Sequence, residues 1–160
     1  ITATFDSIML WLGDSPSSFS KHPWDDFLRP RVVTATSNDT NATTSMAVIT
    51  GMSIANVVLN GNQSVLLFFM TVFSNDTGAA NARFDSRRGS TVISPPQGNN
   101  NEWPYRLDNV DYGQNHVATI IHLDNKPAAG IYTYDVRSRA VAGITSVADR
   151  IFGLIVVPTP

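Results

Sequence analysis

The 160-residue sequence contains no cysteine, which excludes disulfide bonds, thiolate metal sites and cysteine nucleophiles. Charged residues are also scarce, at 15% of the chain, and the formal net charge is only -2. Nucleic-acid binding needs a face rich in lysine and arginine, and no basic cluster is present. The stability of the chain must therefore come from packing, and nucleic acid is not an expected partner.

Long apolar runs are missing as well. The most apolar stretch, "SVLLFFMTVF" at residues 64–73, is shorter than the roughly 20 residues that a membrane-spanning helix needs. No charged-then-apolar signal peptide precedes it. We expect a domain without a membrane span, and because the sequence begins with Ile1 we expect it to be a fragment of a longer chain.

The residues that are present indicate an all-β domain. Turn signals such as Asn60-Gly61-Asn62 and Asp124-Asn125-Lys126-Pro127 separate runs rich in Val, Ile, Thr, Phe and Tyr. This pattern is typical of an antiparallel sandwich or barrel of about eight to ten strands. The clearest predicted strands are 45–50, 54–59, 64–73, 81–87, 90–93, 116–123, 130–141 and 150–157.

Two of these strands are apolar on both sides, at 64–73 and at 150–157. A single sandwich buries only the inward face of each sheet, so a second apolar face needs a cover. A further copy of the same sheet around a closed symmetry axis provides one. The alternative cover is the chain's own segment 14–34, which carries Phe19, Trp24 and Phe27.

The alternation leaves open which side of each two-sided strand is core and which is interface. One side of each strand is assigned to a trimer interface as follows: Leu66, Phe68, Met70, Phe152, Leu154 and Val156. By contrast, strand 130–141 alternates in the ordinary way, with Tyr132, Tyr134 and Val136 on a packed side and Asp135 and Arg137 on a wet side.

The start of the chain supports two interpretations. Ile1, Phe5, Ile8 and Leu12 have the spacing of a coiled-coil seam, and Gly13 would end such a helix. The stretch "ITATFDSI" also alternates like a strand. We therefore assign residues 1–13 to the end of a stalk or to an N-terminal strand, and residues 14–160 to the main domain.

Several features occur in a fixed order between about residues 45 and 157. An apolar strand leads into small residues, a strand ends at Arg87-Arg88-Gly89, "PAAGIYTYDVRSR" opens a strand on small residues, and an apolar strand follows "ADR". This order resembles the tumour-necrosis-factor/C1q-like jelly rolls at the tips of phage and viral fibres and tail needles. The resemblance implies tight trimers whose inner sheets meet at a three-fold axis, and outer loops that touch a host surface without doing chemistry.

The polar stretch "SPPQGNNNEWPYRLDNVDYGQN" is the best recognition candidate, because binding residues are often placed on long loops of a rigid scaffold. It combines flat aromatic faces with hydrogen-bonding groups, which suits sugar or protein surfaces. The candidate binding residues are Asn100, Trp103, Tyr105, Arg106 and Tyr112. The alternative is that the aromatic side chains only hold the loop in place.

No catalytic or metal signature stands out. His22, His116 and His122 lack metal-ligand spacing, and no dense acidic cluster supports the calcium site of eukaryotic C1q-like domains. Asp108 and Asp111 would suit a paired-carboxylate glycosidase only if they faced each other across a groove. We expect no metal, no cofactor and no catalysis.

The sequence thus predicts an antiparallel jelly-roll sandwich that forms a homotrimer at the tip of a phage or viral tail needle or fibre. Its expected partners are itself and a host-surface glycan or protein, and its expected location is the virion or otherwise the extracellular space. Two rival functions remain. One is a secreted C1q/TNF-like ligand or adhesin that binds a receptor or glycan, and the other is a carbohydrate-active enzyme on a jelly-roll frame.

Overall fold

The structure is a computed structural model that describes residues 30–41, 45–76, 80–93, 105–110, 113–140 and 143–159, with backbone alone for 41, 80–81 and 105–110. The described residues form β-strands joined by turns and loops. No helix among them is long and apolar enough to cross a membrane. The candidate stalk at residues 1–13 and the segment 14–29 lie outside the described residues.

Ten strands make up the described fold. Their bounds are β1 Arg31–Ala35, β2 Asp39–Asn41, β3 Ala47–Leu59, β4 Gln63–Asn75, β5 Ala80–Arg88, β6 Thr91–Val92, β7 Tyr105–Val110, β8 His116–Asp124, β9 Gly130–Ala140 and β10 Thr145–Pro158.

The strands form two antiparallel sheets. Sheet I has the order β1-β10-β4-β8, with β2 also paired to β10, and sheet II has the order β3-β9-β5-β6, with β7 also paired to β5. The prediction of an all-β antiparallel sandwich is confirmed. The chain passes from one sheet to the other six times, between β2 and β3, β3 and β4, β4 and β5, β7 and β8, β8 and β9, and β9 and β10. Neighbouring strands within a sheet are therefore mostly distant in sequence.

The predicted strands 45–50 and 54–59 are one strand, β3. Its pairing with β9 shifts register between Val48 and Ser53 and again between Ile54 and Val57. Gly51 and Asn56 have φ of 79° and 57°, which is the backbone of an irregularity within a strand. Gly51 therefore lies in a bulged region of a single strand, and no turn separates the two predicted strands.

The hydrophobic core lies between the two sheets, and aromatic side chains of both sheets contact one another within it. The ring of Phe84 in sheet II lies 5.1 Å from the ring of Phe73 and 6.1 Å from that of Phe69, both in sheet I. The largest fully buried side chains are Tyr134, Phe69, Phe73, Phe84, Phe152, Ile49, Met52, Leu67, Leu154, Val57 and Val65. The inner faces of both sheets supply this core, as expected of a sandwich.

Candidate functional site

The two strands that are apolar on both sides lie next to each other in sheet I. β10 pairs with β4 from Thr145 opposite Asn75 to Pro158 opposite Gln63. The side of sheet I that faces away from sheet II is called the outer face. Its apolar side chains, read from the strand registers, are Val32, Leu66, Phe68, Met70, Val72, Val117, Ile121, Leu123, Ile151, Ile155 and Val157.

Many of these side chains are open to solvent. Ile121 is 70% exposed, Val117 58%, Met70 49%, Leu123 47% and Val32 45%. Half of the large hydrophobic side chains that are exposed among the described residues lie on this one face. A contiguous apolar patch of this kind is uncommon on soluble monomers and marks interaction surfaces.

The centre of the outer face is flat because Gly153 has no side chain. It lies between Val32 of β1 and Phe68 of β4, and a Cβ built on Gly153 would overlap the ring of Phe68. The ring of Phe68 therefore packs directly against the backbone of β10 at Gly153. The side chains that surround Phe68 and Gly153 on this face are uncharged, and the one charged side chain that β1, β4, β8 and β10 place there is Asp149, between Ala148 and Ile151 of β10.

The structure corrects one part of the predicted interface. Leu66, Phe68 and Met70 lie on the outer face, but Phe152 and Leu154 are 0% exposed and belong to the core. The prediction is wrong for these two side chains and also for Val156, which lies on the same side of β10, opposite the buried Val65.

The reason is the pairing of β10 with β4. Phe152 lies opposite Phe69 and Leu154 opposite Leu67, and directly opposite residues share a face of the sheet. Val156 is half-buried and packs against the same core. On β10 the outer side chains are Ile151, Ile155 and Val157.

The opposite exterior, the outer face of sheet II, combines a row of charges with the exposed apolar side chains of Val48, Val58 and Ile131. On β5 and β9 it carries Arg83, Asp85, Arg87, Asp135, Arg137 and Arg139. Arg87 pairs with Asp85 at 2.9 Å and Arg137 pairs with Asp135 at 2.8 Å. These side chains are buried or half-buried, so the expectation of a wet side for β9 is wrong.

Two groups of this charged row have a shifted pKa, Asp85 and Arg137. Asp85 is 0% exposed, and its desolvation raises its pKa above the ordinary value, while Arg87 and Arg137 oppose the shift. The hydrogen bond to Asp135 raises the pKa of Arg137. In this row, the arginines Arg87 and Arg137 compensate the negative charges of Asp85 and Asp135.

A second polar cluster links the two sheets near the β8–β9 connection. Arg88 of β5 binds the carboxylate of Asp124 of β8 at 2.7 Å, and the Tyr134 hydroxyl of β9 donates to the same carboxylate at 2.8 Å. Burial, and then the hydrogen bond to Asp124, raises the pKa of Tyr134 far above its ordinary value. The hydroxyl stays protonated and acts as a donor.

The predicted recognition residues are only partly described. Asn100, Trp103 and Tyr112 lie outside the described residues. Tyr105 and Arg106 begin β7, with their backbones opposite Phe84 and Arg83 of β5. Residues 105–110 are therefore a strand, where the sequence predicted a continuous loop.

Metal-ligand groups are dispersed in the part of the chain that the structure describes. No three His, Cys, Asp or Glu side chains there come together as a possible metal site. His116 and His122 both lie on the inward side of β8, six positions apart. The Phe73 ring lies 5.6 Å from the ring of His116, as a packing contact.

Comparison with known proteins shows similarity at the level of the fold. No protein-family model and no curated protein matches the chain. A structure of the infectious bursal disease virus Gt strain matches with a TM-score of 0.50 and 15% identity, over 97% of this chain and 40% of that chain. The described sandwich is therefore similar in fold to part of a viral protein.

Two further structures match at lower scores. The VP2 subviral particle of infectious bursal disease virus has a TM-score of 0.48 and 13% identity, over 81% of this chain and 33% of that chain. The C-terminal CBM6 of LamC from Zobellia galactanivorans has a TM-score of 0.36 and 11% identity, over 78% and 98% respectively. This chain spans less than half the length of the viral chains that it matches.

Proposed function

We propose that this chain is a jelly-roll subunit of a virion-surface structure, a knob at a tail or fibre tip that forms homotrimers through the outer face of sheet I and contacts the host without catalysis. The observation that carries the proposal is the uncharged apolar outer face around Phe68 and Gly153. Apolar area removed from water is the dominant favourable term in most protein association.

The strand topology supports the jelly-roll assignment. A jelly roll folds two Greek keys into two packed sheets, so its strands alternate between sheets along the chain. Sheet I holds β1, β2, β4, β8 and β10, and sheet II holds β3, β5, β6, β7 and β9. The virion setting is supported by the likeness in fold to the infectious bursal disease virus chain and by the occurrence of jelly rolls in viral capsids.

The non-catalytic part of the proposal rests on the state of the described acids. A paired-carboxylate hydrolase needs two acids facing each other across an open groove. Three of the described acids, Asp85, Asp124 and Asp135, are instead buried, and each accepts hydrogen bonds from an arginine. Their role in the proposal is to hold strands and sheets together.

Multi-angle light scattering of the purified chain tests the assembly. We expect a particle of three chain masses. Ile121→Glu places a charge on the outer face of sheet I and should release monomers, because an unpaired charge in an apolar interface is strongly unfavourable. Ile131→Glu is the matched control, since Ile131 is also 70% exposed but lies in sheet II, and it should leave the trimer intact.

Circular dichroism must show that both variants keep the strand signal. A monomeric wild-type chain would overturn the proposed assembly. Equal effects of the two substitutions would show that the outer face of sheet I is not the interface.

A further inference from the structure

β10 carries a bulge where the outer face of sheet I turns from apolar to polar. Its register against β4 shifts between Ala148 and Ile151, and Asp149 and Arg150 form the bulge between them. Asp149 has a φ of 42°, in the left-handed region that aspartate enters more readily than most residues. Bulges of this kind redirect side chains.

The bulge is fixed from its inner side. The guanidinium of Arg150, a residue that is 2% exposed, donates to the carbonyls of Ser37 at 2.7 Å and Val147 at 2.6 Å. The hydroxyl of Thr71 donates to the carbonyl of Ala148 at 2.8 Å. Because the side chain of Arg150 points inward and is held by these bonds, the neighbouring side chain of Asp149 lies on the solvent side of the strand.

A pocket of ≈ 270 Å³ lies beside the bulge. Its apolar floor includes Val72 and Ala148, which are directly opposite each other on β4 and β10. Its polar side chains are Asn38, Ser74, Asn115, Ser146 and Asp149. Ser74 and Ser146 are also cross-strand partners, so their positions are set by the sheet.

The polar side chains of the pocket are not engaged with the described parts of the chain. Within those parts, none of the five forms a side-chain hydrogen bond or ion pair. The other aspartates with described side chains all accept hydrogen bonds, and they are Asp39, Asp76, Asp85, Asp124 and Asp135. The carboxylate of Asp149 differs from theirs, because it lines the pocket and accepts no hydrogen bond from the described residues.

We propose that this pocket binds one neutral sugar residue through its hydroxyl groups. A sugar hydroxyl both donates and accepts, and the pocket offers two amides, two hydroxyls and a carboxylate, which match both roles. The volume lies just below the roughly 300–1,000 Å³ of sites for drug-sized ligands, which fits a single ring.

Other ligand classes fit less well. Asp149 repels an anion. A calcium ion takes about six to eight oxygen ligands, commonly with several carboxylates, and this pocket holds one. The pocket begins at Val72, beyond the apolar centre of the outer face, so it lies at the rim of the proposed trimer interface and stays open there.

Saturation-transfer NMR and calorimetry with free glucose, galactose, mannose, fucose and N-acetylglucosamine test the site. We expect saturable binding of at least one of them, with a dissociation constant on the order of millimolar, as befits a small open site. Asp149→Asn keeps the size and the left-handed preference, and it should weaken binding roughly tenfold because a charged acceptor is lost. Asn115→Ala should weaken it similarly.

The matched control is Gln114→Ala, an exposed neighbour that is not among the pocket side chains, and it should bind like the wild type. Failure of all five sugars to bind would overturn the site, as would binding that Asp149→Asn and Asn115→Ala leave unchanged. Binding of calcium chloride alone, with no sugar binding, would also overturn it. None of these outcomes depends on the number of chains, which light scattering measures separately.

Discussion

At the centre of the outer face of sheet I, the ring of Phe68 fills the space that a side chain at position 153 would need. Gly153 is extended, so the need for glycine here comes from the close approach of the ring and not from an unusual backbone angle. The effect of a substitution at Gly153 on stability therefore depends on the side chain at position 68, and the reverse also holds.

We expect Gly153→Ala to lower the free energy of unfolding by about 1–3 kcal/mol, the usual cost of overpacking, because the Phe68 ring must move away. Urea titration measures the change. In a Phe68→Ala background the same substitution should cost much less, since the obstructing ring is gone. Equal costs in both backgrounds would show that the two residues do not interact.

His122 provides a pH dependence at the scale of one side chain. Burial lowers its pKa below the ordinary 6.5, while the nearby Asp124 opposes the shift. As pH falls through about 6.5, the unfolded chain therefore takes up a proton before the folded chain does. The stability contributed by neutral His122 is present above that pH and is lost progressively below it.

Urea titrations at about pH 7.5 and about pH 5.5 should show that His122→Asn loses less stability on acidification than the wild type. Thr119→Asn is a control on the same strand that removes no titratable group, and it should keep the wild-type loss. A His122→Asn variant with an unchanged loss would contradict the assignment.

Between elements, the cluster of Arg88, Asp124 and Tyr134 is a polar link that joins β5 and β9 of sheet II to β8 of sheet I. Hydrophobic packing holds the sheets together without fixing their lateral position, because it is non-directional. A hydrogen-bonded carboxylate between the layers has a direction. We therefore assign this cluster to setting how the sheets align near the β8–β9 connection.

We expect Tyr134→Phe to lower the free energy of unfolding by about 1 kcal/mol, since it removes a buried donor from Asp124. Thermal and urea unfolding measure the effect. Tyr132→Phe is the matched control, because its hydroxyl donates to the carbonyl of Ala128 at an exposed site. It should cost clearly less, and a larger cost than that of Tyr134→Phe would contradict the role of the cluster.

Most strands could be predicted from the sequence because their apolar residues alternate. β4, β8 and β9 lie within one or two residues of their predicted bounds. β7 was missed because "YRLDNV" lies within a polar, asparagine-rich stretch, and its place in the sheet depends on the partner strand β5. β1 and β2 precede the first predicted strand and depend in the same way on pairing with β10.

The interface was harder to predict than the strands. A strand that is apolar on both sides has no alternation to distinguish core from exterior. The bulge at Asp149 and Arg150 sets the register in which β10 meets β4, and this register turns Phe152 inward. The sequence therefore predicted that a second apolar face exists, but it contained no local signal for the β10 side chains that form it.

At the scale of the whole molecule, the two exteriors of the sandwich differ in kind. The outer face of sheet I is uncharged around Phe68 and Gly153 and carries a single charge at Asp149, whereas the outer face of sheet II carries the row of arginines and aspartates on β5 and β9. An assembly through sheet I leaves this charged row outside the contact. The proposed contact is therefore apolar in character and does not depend on attraction between charges.

This difference predicts the response of the assembly to salt. Raising sodium chloride from about 0.05 M to about 1 M shortens the range of charge interactions to roughly 3 Å but does not weaken apolar burial. We expect the mass measured by light scattering to stay constant over that range. Dissociation at high salt would show that ion pairs hold the chains together.

The position of β10 in sheet I has a consequence for synthesis. β10 pairs with β1, β2 and β4, yet it follows all of them along the chain. During translation, β4 thus leaves the ribosome with apolar side chains on both of its faces, before β10, its partner along one edge, has been synthesised. Sheets that depend on pairing between strands far apart in sequence form slowly, and the unpaired strand can meanwhile aggregate with other chains. Newly made chains should therefore need protection by chaperones until the segment 145–158 has emerged.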